Sequence, residues 1–125
     1  MTRWVGRWII GVGTIHVLVA FVVFQEPLLA ILRDGVWNAV DGHSGRPLAF
    51  WFVFLGLFTI VFGSLFDWVE SRGLWPPRIV SWAFFALVVL GIVTMPLSGG
   101  WLLLPAGLGV VVRSVQPGTS AGPAV

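Results

Sequence analysis

The chain predicts an all-α fold: four transmembrane helices in an antiparallel bundle, capped on the extracytoplasmic side by its first loop. Three observations carry that prediction. Of 125 residues, 58% are apolar and 10% charged, more apolar surface than so short a soluble domain can hide. Four apolar runs stand apart, spanning about 8–24, 48–66, 79–95 and 98–112. The arginines fall at the ends of these runs, where topogenic charge belongs. One domain over 1–115 is the natural count at this length, and the Pro/Gly/Ser/Ala-rich tail 116–125 reads as a disordered cytoplasmic segment.

The first run, Trp8 to Phe24, follows the basic residues Arg3 and Arg7 as a signal peptide would. It ends in Phe24-Gln25-Glu26-Pro27 with no small-x-small cleavage site, so a retained anchor is expected. The second run, Leu48 to Phe66, reaches about 28 Å as a helix and spans a bilayer alone. The third, Ile79 to Met95, is closed by Pro96. The fourth is short: Leu97 to Val112 gives about 24 Å, and Pro105 inside it is expected to bend or break the helix.

Orientation follows from the arginines. With the N-terminus inside, Arg3, Arg7, Arg72, Arg78 and Arg113 face the cytoplasm, and Arg33 and Arg46 lie outside, as the positive-inside rule requires. Tryptophans gather near both boundaries, where the indole N–H stays wet and the ring stays in hydrocarbon. Both termini are therefore expected in the cytoplasm. The seven arginines are spread singly and form no stripe for nucleic acid. The chain has no Cys, Lys or Tyr, which removes thiolate, Schiff-base and phenolic chemistry.

Polar residues concentrate in loop 1, Glu26 to Pro47, which is long for a connection between bundle helices. Leu28, Leu29, Leu32, Val36 and Val40 recur near a helical period, so an amphipathic piece is expected there. With Trp37, its apolar face should dock over the bundle mouth, either sealing it or acting as a lid.

His16 lies midway along the first run, about 12 Å from either end. An ionisable group at that depth is expected to face the bundle interior, either bonding a neighbouring helix or acting as a catalytic or ligand-binding imidazole. Gly13 and Ala20 lie one turn to either side, and Gly56, Thr59 and Gly63 form a matching stripe on the second helix. Close helix packing explains both stripes. Asp67, which continues the second stripe, and Glu70 read as a solvated rim. The catalytic candidates are His16, Glu26 and Asp41, each able to exchange a proton if partly desolvated. Asn38, Arg46, Trp51, Trp37 and Gly13 are the ligand-binding candidates, around a cavity centred on His16 and opening beneath loop 1. The ligand set is too thin and too scattered for a metal site, and no cofactor is predicted.

The segments Gly13-Thr14-Ile15-His16, Trp37-Asn38-Ala39-Val40-Asp41-Gly42, Arg46 with Ala49-Phe50-Trp51-Phe52, and Met95-Pro96-Leu97-Ser98-Gly99-Gly100-Trp101 resemble an uncharacterised family of small bacterial four-span integral membrane proteins. The resemblance covers nearly everything before the tail. It implies the architecture and a bacterial inner-membrane location, and it assigns no activity. A looser likeness to DoxX-type proteins is one of shape.

Two main functions are compatible with these residues. One is a binding module for a lipophilic small molecule. The other is a small membrane enzyme performing acid–base chemistry on such a molecule, such as isomerisation, cyclisation or epoxide opening. An oligomeric transporter or accessory subunit is a weaker third. The expected partners are the lipid bilayer and that lipophilic molecule, not nucleic acid, with homo-oligomerisation left open.

Overall fold

Pro27 is the first punctuation the fold obeys. Its ring excludes the carbonyl of Val23 from a continuous helix, and the chain breaks there into α1 (Val5–Val23) and α2 (Gln25–Arg33). The computed structural model describes residues 3–116, so the tail beyond Gln116 lies outside the described residues. Four further helices follow: α3 (Arg46–Ser71), α4 (Arg78–Thr94), a 3₁₀ helix (Gly99–Leu103) and α5 (Leu104–Val115). No strand occurs among the described residues.

Local chemistry sets the ends. Gly35 (φ 85°) and Gly73 (φ 67°) take the left-handed conformation just past α2 and α3. The next amides, Val36 and Leu74, reach back to the carbonyls of Ile31 and Val69 at 3.1 and 3.2 Å. Pro76 and Pro77 precede α4, and Met95 is pushed out of the helical region by Pro96. Pro105 corrects an expectation. It sits in the first turn of α5, where its missing N–H costs nothing, so it starts the helix where a bend was expected.

The chain divides after Trp68 into two compact units. In the first, α1 and α3 pack antiparallel through glycine faces. A Cβ on Gly13 would lie 3.0 Å from the Gly56 carbonyl, and one on Gly63 would lie 3.0 Å from the Gly6 carbonyl. Val5, Ile9 and Ala20 are fully buried. The stripes Gly13–Ala20 and Gly56–Gly63 thus serve close packing, as their spacing predicts. Asp67 closes the far end of this seam, taking Arg3 at 3.0 Å and Arg7 at 3.5 Å.

In the second unit, α4 and α5 form an antiparallel hairpin. Gly107 lies against Phe85 and Val88, and Val110 and Ser81 are fully buried. The Trp75 indole donates to the Val110 carbonyl at 3.2 Å, and Arg78 donates to Ser114 at 3.1 Å. Glu70 overturns its reading as a solvated rim. Its carboxylate is 2% exposed and meets Arg113 at 2.6 Å, and the guanidinium lies 5.0 Å from the centre of the Trp75 ring.

Two helices are long and apolar enough to cross a membrane: α1 with 19 residues and α3 with 26. Their most apolar stretches are only 28% and 17% buried, far less than a soluble core helix requires. Leu18, Val22, Phe58 and Val61 are among the large side chains they leave exposed.

Candidate functional site

Between α2 and α3 the chain turns through residues 34–45 and is tied back by one side chain. Arg46, at the start of α3, donates from Nη1 to the Ala39 carbonyl at 2.7 Å and pairs with Asp34 at 2.8 Å. Its side chain is 13% exposed. The same loop holds two non-glycine residues in the left-handed region, Val36 (φ 67°) and Asn38 (φ 53°). Asparagine tolerates this conformation, whereas a β-branched valine is strained by it at about 1–3 kcal/mol.

The tied loop faces the first turn and a half of α3 across an open cleft of about 280 Å³. Val36, Asn38 and Asp41 line one side, and Pro47, Phe50 and Trp51 the other. Phe50 and Trp51 meet edge to face at 5.5 Å, and Phe54 extends the aromatic wall at 5.5 Å from Trp51. The volume suits a small ligand or the head of a longer one. The lining residues with polar side chains are Asn38 and Asp41. His43 donates from Nδ1 to the Asp41 carbonyl at 3.0 Å and so fixes the backbone beneath that carboxylate.

Three of the expected site residues, Asn38, Asp41 and Trp51, therefore come together. The others stand elsewhere. Arg46 is engaged in holding the loop. Glu26 is exposed in the first turn of α2, where a carboxylate complements the helix dipole. Gly13 belongs to the α1–α3 seam. Trp37 is 92% exposed and docks on nothing in its unit. The apolar face expected to run from Leu28 to Trp37 ends with α2: Leu28 and Leu29 are half-buried and Ile31 is buried, while Leu32, Val36 and Trp37 are exposed. The left-handed residues after Arg33 break the helical period on which that face depended.

His16 occupies the α1–α3 seam and is not among the residues lining the cleft. Its ring stacks on Phe52 at 3.9 Å with an interplanar angle of 11°, and Phe24 packs on Phe52 at 5.1 Å. Gly56 makes room for the imidazole: a Cβ there would lie 3.1 Å from His16 Cδ2. The His16 Nε2 atom is buried without a hydrogen-bond partner. No three of the described His, Asp and Glu side chains cluster as a metal site would require.

Pro47, Phe50 and Val36 were missed as cleft residues. The available signal was the pair Asp34 and Arg46 bracketing a loop with Gly35, Gly42 and Gly45, a pattern that closes on itself. The strain at Val36 yields a direct test. Val36→Gly is expected to stabilise the protein by about 1 kcal/mol, read as a rise in Tm in detergent, although a cleft side chain is lost. A fall in Tm would show that valine is at ease there.

Fold and cleft together define an all-helical protein with two apolar helices of membrane-spanning length and a small pocket walled by a tied loop. The chain belongs to the Family of unknown function (DUF6463), whose model matches residues 1–117. No curated protein and no solved structure matches it.

Proposed function

We propose that this is a multi-pass protein of the bacterial inner membrane that binds a lipophilic small molecule in the cleft between its first loop and α3. The observation that carries the reading is the cleft itself: an aromatic wall at Phe50 and Trp51 opposite one amide and one carboxylate, on a loop held under strain. Strain of this kind persists where the surroundings impose it, and it concentrates at ligand sites. The apolar wall would take the body of the molecule, and Asn38 and Asp41 a hydroxyl or amine at its end.

The exposed apolar surfaces of α1 and α3 support the membrane setting. α4 reaches about 25 Å, and the 3₁₀ helix with α5 about 28 Å, so each is long enough for a short span in a locally thinned bilayer. With four spans, the arginine bias supports a cytoplasmic location for both termini. A cytoplasm-active reporter fused to the C-terminus should give signal, and one inserted at Gly42 should not. The reverse pattern would overturn this orientation.

Native mass spectrometry of the purified protein should find a lipophilic molecule retained at the cleft. Trp51→Ala is expected to lower its retention roughly tenfold or more, because a large aromatic contact contributes about 1.5–3 kcal/mol. Equal retention by wild type and Trp51→Ala, or none by either, would remove the cleft from consideration. The unpartnered Nε2 of His16, in the α1–α3 seam apart from the cleft, favours a second reading, in which the imidazole moves a proton on a lipophilic molecule bound at that seam instead. His16→Leu separates the two. A binder keeps the same ligand mass, whereas an enzyme accumulates an unconverted species that the wild type does not hold.

A further inference from the structure

We propose that α1 carries a separate site for an anionic phospholipid, with the phosphate held by Arg3 and Arg7 and an acyl chain laid over Gly11. The site is an open groove of about 350 Å³ along one face of α1, cationic at its N-terminal end and apolar beyond. Trp4 and Trp8 line the groove beside Arg3 and Arg7, and Gly11 and Ile15 line it further along the helix. From Arg7 to Ile15 the groove runs about 12 Å down the helix, the direction an acyl chain takes from its headgroup.

Charge argues for an anion. Two guanidinium groups share the single carboxylate of Asp67, which leaves one positive charge over. Arg3 takes the close contact at 3.0 Å. Arg7 meets Asp67 through Nε at 3.5 Å, and its side chain is 66% exposed, so its terminal N–H groups are open to a further acceptor. A phosphate matches such a fork geometrically and electrostatically. Shape argues for a chain behind it. Gly11 has no atom within 4 Å of where a Cβ would stand, so helix packing does not account for the glycine. Tryptophans in the row beside a cationic pair are the arrangement expected at headgroup depth.

The inference rests on the membrane reading and not on the loop cleft. Protein purified in a maltoside detergent is incubated with equal amounts of dioleoyl phosphatidylglycerol and dioleoyl phosphatidylcholine, and retained lipid is read by native mass spectrometry. Wild type is expected to retain phosphatidylglycerol in preference. Arg7→Gln should weaken that preference roughly fivefold, the effect of one cation at a membrane surface. Because Arg7 also contacts Asp67, Gly11→Leu serves as a second variant that leaves every ion pair in place, and it should displace the lipid while Tm holds. Inorganic phosphate added in excess should not compete, since the acyl chain is part of what is recognised. Equal retention of the two lipids, or unchanged retention in Gly11→Leu, would falsify the site. Competition by inorganic phosphate would overturn it in favour of a soluble anion. Trp51→Ala should leave phosphatidylglycerol retention intact. Wild-type protein that retains the cleft ligand but shows no preference for phosphatidylglycerol therefore sinks this site alone, and wild-type protein that prefers phosphatidylglycerol but retains no cleft ligand sinks the cleft alone.

Discussion

Gly6→Val is expected to destabilise the α1–α3 pairing by about 3 kcal/mol, the upper part of the usual range for overpacking. A Cβ at Gly6 would fall on the Asp67 amide nitrogen and lie 2.6 Å from the Asp67 Cα. Both are backbone atoms inside a helix, so no side-chain rotation relieves the clash and one helix must shift. The shift also draws Asp67 away from Arg3 and Arg7, which close the same end of the seam. Gly11→Val is the matched control. It adds the same side chain to the same helix with nothing within 4 Å, so helix propensity alone should govern it and Tm should hold or rise slightly. Thermal unfolding of both variants in detergent reads the contrast. Equal Tm values would mean that the glycine seam does not hold these helices together.

Arg113→Ala should cost about 3 kcal/mol, because it takes from the buried Glu70 carboxylate the guanidinium that meets it. The pair is short, at 2.6 Å, and both partners are withdrawn from solvent, with side chains 2% and 17% exposed. The guanidinium also gives up its place over Trp75. Replacing both partners, as Glu70→Met with Arg113→Met, should recover part of the loss, since the buried carboxylate and the guanidinium facing it are removed together. If the double variant unfolds as readily as the single one, packing and not charge dominates that corner.

What was legible in the sequence divides along physical lines. Helix positions followed from apolar runs and from Pro and Gly, whose effects are local to the backbone. The α1–α3 seam was legible because small residues at helical spacing have few other uses. Glu70 was not: three residues from Asp67 and beside Arg72, it had the look of a surface acid, and its partner Arg113 lies 43 positions away. The site was half legible. Asn38, Asp41 and Trp51 stood out as polar or aromatic residues in and beside a long loop, and they do line one cleft. Placing His16 with them required knowing how far loop 1 reaches, and that is set by the Asp34–Arg46 tie and the left-handed backbone at Val36. Neither has a period or a motif to announce it.

The tie between Arg3 and Asp67 spans 64 positions, and this separation imposes an order on the protein's birth. Translation at about 5–20 residues per second delivers α1 several seconds before the far end of α3 exists. Through that interval Gly6 and Gly13 have no partner face, and the first helix waits as an apolar segment with its backbone laid bare. The α4–α5 hairpin is made from neighbours in the chain and can close as it emerges. A ribosome stalled midway through α3 would therefore release a product whose first helix is synthesised, apolar and unpaired, the kind of segment that insertion and quality-control machinery exists to hold.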